Sequence, residues 1–375
     1  MTDMLAYVRT EDAPRLPPPN RASGPVAWAR ENLFPTPFSG LATVVLGALF
    51  FYILWTFFRW AVIDAVWTGA DREVCSVEGA GACWPFIKAK FGQWVYGLYP
   101  ISERWRIDIC LVVGLLTLVP LLMPSVPYKL WNVLFFLVVY PVMTFFLLSG
   151  GVFGLTPVDT PSWGGLTLTL VIAVTGIVAS FPIGILLALG RQSAMPVVSL
   201  LSTVFIEVVR GVPLITVLFI ATAMFPLFLP PGWKFDELMM ALVGVALFSA
   251  AYMAEVVRGG LQAIPKGQHE AAKALGLSYW KLMALIVLPQ ALKIVIPGIV
   301  NSFISLFKDT TLVTTIGLFD LLGIVQLGFQ DPKWASPQTP NTSYFTLAIL
   351  YWVFCFGMSR YSIYTERRLH TGHKR

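Results

Sequence analysis

Pro265-Lys-Gly267-Gln-His-Glu270-Ala271-Ala272-Lys-Ala-Leu-Gly276-Leu-Ser278-Tyr-Trp-Lys-Leu-Met-Ala-Leu-Ile286-Val-Leu288-Pro289 is the longest amphiphilic interruption in an otherwise apolar C-terminal half. Glu270 to Leu275 are mostly strong helix formers, and Gly276 stands where a helix stops on a left-handed residue. Ser278 is placed to cap a second helix beginning at Tyr279. A charged helix–Gly–helix unit between two apolar segments must face water, where a soluble partner can grip it. The unit is expected to leave the membrane and return at Pro289; the plainer reading is a surface connector.

The rest of the chain sets that unit in a bilayer. Of 375 residues, 57% are hydrophobic and only 12% charged, and the mean hydropathy is +0.73. A soluble domain carries about a quarter charged residues. The net charge of +6 reads as positive-inside topology rather than affinity for nucleic acid. A bilayer core takes about 20 apolar residues as helix. Eight runs meet that rule: Gly40–Phe58, Ile107–Met123, Leu130–Leu148, Gly165–Leu189, Ser199–Leu229, Leu238–Val257, Met283–Phe307 and Ser343–Met358. Leu312 to Phe329, with Asp320 and its glycines, reads as a short tilted or re-entrant helix. Residues 1–39 are polar and proline-rich and read as a disordered cytoplasmic tail; residues 369–375 read as a second tail. The fold class is therefore an all-α polytopic membrane protein.

Basic residues place both termini in the cytoplasm, with Arg191, Arg258, Lys266, Lys273 and Lys281 on that side. The loop 59–106 dissents, since it carries six basic residues yet falls outside; long loops obey the rule poorly. If that side is oxidising, Cys75 and Cys83 can close a disulfide across a short polar hairpin; the other reading is two unpaired thiols. The chain divides near Gly151 to Gly165. Residues 40–150 hold three spans without evident chemistry, and residues 164–368 hold every polar anomaly.

Those anomalies are few. Glu207-Val-Val-Arg210-Gly211 recurs as Glu255-Val-Val-Arg258-Gly259. Glu and Arg three apart share a helix face and can pair, either as a gate that re-pairs between transport states or as a static interfacial ion pair. Gly211-Val-Pro213 is expected to bend the fifth span. Pro297-Gly298, Asn301, Ser302 and Ser305, followed by Lys308-Asp309, make the seventh span and its end polar, as pathway lining or as helix–helix contact. Lys308 and Asp309 are adjacent and are expected to find separate partners. No G-x-x-x-x-G-K-[ST] loop occurs in the sequence, so this chain is not expected to hydrolyse ATP or to act as an enzyme. Neither metal-ligand spacing nor a hydrolytic triad emerges, and no cofactor is expected in this chain.

Glu270-Ala-Ala, three residues, Gly276, nine residues, then Ile286-x-Leu288-Pro289 resembles the EAA motif of bacterial ABC importer membrane subunits. Ala251-Tyr-x-Ala-Glu255-x-x-Arg258-Gly-Gly, Pro289-Gln290-Ala, Asn301, Lys308-Asp309-Thr and Glu207-x-x-Arg210-Gly-x-Pro213 look like the polar amino acid permease branch. The additional N-terminal spans resemble the larger, M-type permease of general L-amino-acid transporters. The resemblance implies a five-helix MetI-like core of the type I ABC importer kind, in the bacterial inner membrane. It implies a heterodimer with a second, similar permease, two cytoplasmic ATPase subunits that bind ATP and Mg, and a periplasmic binding protein that delivers amino acids. Gly267, Glu270, Ala271, Ala272, Gly276 and Pro289 would couple to the ATPase. Glu207, Arg210, Glu255, Arg258, Asn301, Lys308 and Asp309 would gate or line the path. An ion-coupled secondary transporter of amino acids is the alternative function.

Overall fold

The structure, a computed structural model, describes residues 24–123, 125–230, 232–233 and 235–369. Most of the tail 1–39 lies outside these residues. The part within them departs from the expectation of disorder: Pro25–Asn32 is helical. Thr36 and Ser39 then exchange a capping box that starts the first span at Pro37 rather than Gly40, because both open the helix with hydroxyls that satisfy its first N–H groups. The first span, Pro37–Ile63, is counted with Pro25–Asn32 in a compact unit of its own. The tail 369–375 begins within the last helix, which ends at Leu369; the residues beyond lie outside the described chain.

The second unit carries the remaining spans. Ile101–Leu122, Lys129–Ser149, Gly165–Arg191, Glu237–Gln262 and Gln338–Leu369 are continuous, and two bent pairs complete a total of up to eight among the described residues. Pro196–Gly211 and Leu214–Phe228 meet at 108°. Val212 is extended there (φ −109°, ψ 137°), as a residue before proline prefers. Tyr279–Ile294 and Ile296–Ile316 meet at 65°. That second bend sits at Val295, two residues ahead of Pro297 in the first turn of the next segment. Pro289 does not mark re-entry: it lies inside the first segment, behind the π-turn Met283–Val287. The wide turn absorbs the missing proline N–H, and the Gln290 side-chain amide donates to the Ile286 carbonyl at 2.8 Å.

Glu237–Gln262 is the central helix. It begins on Asp236, whose carboxylate accepts the Met239 N–H and the Thr160 hydroxyl. It buries Ala241, Gly244, Ala250, Ala251 and Ala254. Small residues let membrane helices approach closely: a Cβ on Gly184 of the fourth span would stand 2.7 Å from that of Met253.

Residues 59–106 are more than a loop. Trp84–Tyr96 forms a helix whose Phe86 and Trp94 are buried, and Cys75 and Cys83 are joined by a disulfide, Cα atoms 5.7 Å apart. This element is fitted against the start of the fourth span so tightly that a Cβ on Gly165 would lie 2.3 Å from the Trp94 carbonyl oxygen. It is also held to the start of the eighth: the Cys83 N–H donates to Thr342 Oγ1 at 2.8 Å and Lys90 pairs with Asp331 at 2.6 Å. The Lys90 ammonium holds the Asp331 carboxyl below its usual range. Nearby, Asp320 caps Leu321–Gly328 by accepting from the Gly323 N–H, the Thr314 hydroxyl and the Tyr351 hydroxyl. Burial raises its pKa despite those donors. The disulfide-bonded element with its helix Trp84–Tyr96 is thus part of the core's packing at one end. At the other end of the fourth span, 27 residues and about 40 Å away, sit Arg191 and the charged cluster.

Candidate functional site

Three features gather at or toward the Arg191 end. The first is the loop 265–289. Lys266–Ala274 is helical and stops on a Schellman cap: Gly276 N–H donates to the Lys273 carbonyl at 2.9 Å and Leu277 N–H to that of Ala272 at 3.2 Å. Gly276 has φ +74°, a conformation in which a side chain is strained. Ala272 and Leu277 pack into the hydrophobic cluster below. Gly267, Glu270, Ala271 and Lys273 remain exposed. The helix is therefore pinned by one face and offers the other. Ser278 stands at the start of the second helix but makes no side-chain capping bond, so the cap rests on backbone geometry alone. Pro289 is exposed, about three turns into the following segment.

The second feature is the charged cluster. Glu255 pairs with Arg258 on its own helix, Nε to Oε1 at 2.9 Å. It also receives Arg191 from the fourth span at 3.2 Å and Arg210 from the fifth at 3.7 Å. Arg258 reaches on to Gln262 at 2.7 Å. Glu207 does not pair with Arg210 as the helical spacing predicts; it takes Arg191 at 2.8 Å. Arg210 leaves its own helix face because a shared carboxylate and the ring of Tyr252, 5.7 Å away, compete for it. One carboxylate thus ties three helices together.

The third feature is a cleft of about 530 Å³ between the fourth, sixth and seventh spans, with Ser180, Ser249, Tyr252, Asn301, Ser302 and Asp309 among its walls. Tyr252 joins it to the charged cluster. Asn301 and Asp309 are brought together here, whereas Lys308 is exposed and lies outside this lining. As site residues, sequence reasoning missed Arg191, Tyr252, Ser180 and Ser249, while Ser302 and Ser305 were legible with Asn301 in the seventh span. Arg191 was visible only as a topology marker, since its partners lie far along the chain.

A set of apolar spans, an exposed capped helix at one end and a polar cleft beside the bent seventh span fit a membrane transport subunit. Residues 180–371 match the family described as "Binding-protein-dependent transport system inner membrane component". The chain is 50% identical over 359 residues, 96% of its length and 97% of the relative's, to the inner membrane amino-acid ABC transporter permease protein YhdY of Escherichia coli (strain K12). It is 39% identical to the glutamate/glutamine/aspartate/asparagine transport system permease protein BztC of Rhodobacter capsulatus, covering 98% of this chain and 99% of that one. A solved structure described as "Crystal structure of an amino acid ABC transporter with histidines" is 29% identical, covers 54% of this chain and 92% of that chain, and has a TM-score of 0.48. The chain belongs to the binding-protein-dependent transport family of inner membrane components, a multi-pass subunit whose family works with ATPase and binding-protein partners.

Proposed function

We infer that this chain is the permease subunit of an ATP-driven importer that carries amino acids, of broad or polar range, from a periplasmic binding protein into the cytoplasm. The observation that carries the reading is the helix Lys266–Ala274: exposed at Glu270 and Ala271, fixed from beneath by Ala272, and ended by Gly276. The relatives, amino-acid permeases by name, supply the substrate class. In this reading ATP and Mg are bound and used by two partner ATPase subunits. The alanines let a socket close over the helix, and Glu270 offers a carboxylate to a donor in it. A second, similar permease completes a heterodimer. Both termini face the cytoplasm, so that the disulfide-bonded element lies on the periplasmic side.

Closure of the ATPase pair would pull on 265–289 and, through Ile286 and Leu288, on the bent seventh span. The Glu255 cluster lies between that loop and the cleft, and re-pairing of Arg191 and Arg210 would let the fifth span move against the sixth. Asn301 and Asp309 would offer polar partners to a passing zwitterion. The test is reconstitution of the chain with its partner permease, ATPase and binding protein in proteoliposomes. Amino acid uptake that requires ATP inside and binding protein outside is expected; uptake driven by an ion gradient without the ATPase would overturn the reading.

A further inference from the structure

We propose that the Arg191-side end of the second, third and eighth spans forms a binding site for the headgroup of an anionic phospholipid. A pocket of about 330 Å³ is lined there by Leu122, Lys129, Tyr361, Tyr364, Arg368 and Leu369, with Thr365 between the tyrosines and the arginine. Its end of the molecule follows from the spans themselves. The second and third spans are tied at their opposite ends, where Tyr99 Oη donates to the Leu148 carbonyl at 2.7 Å and the Arg106 guanidinium donates to the Thr156 carbonyl at 2.8 Å. The eighth span starts beside Cys83 through Thr342.

The charges in the pocket are of one sign. Between Asp108 and Asp159 the chain carries a single charged side chain, Lys129, and it opens onto this pocket. Tyr361, Tyr364, Thr365 and Arg368 recur at intervals of three and four, so they share one helix face. Glu366 falls off that face. Among the described residues, neither Lys129 nor Arg368 is within ion-pair distance of a carboxylate. Two cations facing one cavity repel unless an anion lies between them.

Position selects the anion's source. The eighth helix has 32 residues, about 48 Å, against a hydrocarbon core of about 30 Å. Its last turns therefore project into the headgroup layer, where tyrosine rings and basic side chains are favoured. Leu122 and Leu369 line the pocket, and Leu115, Leu116 and Leu118 of the second span are exposed along the adjoining surface, where acyl chains can lie. A phosphodiester held by Lys129, Arg368 and tyrosine hydroxyls, with its chains on that apolar surface, satisfies charge and hydropathy together. A free inorganic phosphate would use only the first half of the site.

The experiment measures binding of dioleoyl phosphatidylglycerol, dioleoyl phosphatidylcholine and inorganic phosphate to the purified full-length protein by native mass spectrometry. Phosphatidylglycerol should bind in preference to phosphatidylcholine. K129Q/R368Q should weaken it about 25-fold, since each basic residue near an anionic membrane surface contributes about fivefold. R367Q, off the pocket face, should change it less than about twofold. K129R/R368K should keep most of the affinity, and raising salt should weaken phosphatidylglycerol binding to the wild type, a readout that does not depend on how the glutamine variant folds. Equal binding of the two lipids, a salt-insensitive affinity, or retention of phosphatidylglycerol in a folded K129Q/R368Q protein overturns the proposal. So does inorganic phosphate binding as tightly as the lipid, which would make this a free-anion site.

Discussion

The pentapeptide Glu-Val-Val-Arg-Gly occurs at 207–211 and again at 255–259, and the two copies behave differently. The second lies inside a continuous helix, where Glu255 and Arg258 pair across one turn. The first ends its helix at Gly211, just before a 108° bend. There Glu207 turns to Arg191 and Arg210 turns to Glu255. Local sequence sets which charges are available; the packing of three helices sets which of them meet. The half-buried copy holds the cluster, and we propose that the copy at the bend is the part that changes partners.

Removing the shared carboxylate should break this asymmetry most strongly. Glu255→Ala leaves Arg191, Arg210 and Arg258 facing one another around a half-buried gap. Complete truncation of one partner of a fully buried pair costs about 3–5 kcal/mol, and partial exposure here reduces the expectation to about 2. Thermal unfolding in detergent should register it, and uptake should fall by at least about tenfold.

The neighbouring glycines sharpen the comparison in the second copy. A Cβ on Gly260 would stand 2.7 Å from the Ala291 carbonyl oxygen and 2.9 Å from Val295 Cγ1, while one on Gly259 would meet nothing within 4 Å. Gly260→Ala should cost roughly 1–3 kcal/mol by overpacking the sixth and seventh spans. Gly259→Ala should stabilise the helix by about 0.5 kcal/mol or slightly more. Opposite signs at adjacent glycines, read as shifts in thermal midpoint, are the expected outcome.

Glu207→Gln should be mildest for stability. The Glu207 side chain is 55% exposed, and exposed pairs contribute about 0.2–1 kcal/mol. A change in uptake larger than the change in stability would identify the first copy as the moving one. Equal, small changes in both would make the two copies equivalent braces.

The same contrast separates what was legible in the sequence from what was not. The spans were legible because a bilayer demands long apolar helices, and the bend at Pro213 because proline leaves few alternatives. Gly276 announced the end of the exposed helix because the Schellman cap needs a left-handed residue. The Arg191–Glu255 contact was not legible: it joins residues 64 positions apart, and helical spacing offered Glu207 and Arg210 a nearer, unused pairing. The helix Trp84–Tyr96 was hidden too. At 13 residues it is too short to read as a span, and its buried aromatics only have meaning against Gly165 and Trp334. Pro289 misled because a π-turn, invisible to a 3.6-residue period, lets the helix run through it.

The most direct measurement follows ATP hydrolysis and amino acid uptake side by side, in the same proteoliposomes, for the wild-type complex and for Glu270→Arg. That side chain is exposed and touches nothing that holds the fold together, so the permease should still insert and assemble. The account predicts that hydrolysis continues while uptake falls to about a tenth or less. Uptake that keeps its wild-type ratio to hydrolysis would contradict the claim that work enters the permease through this helix.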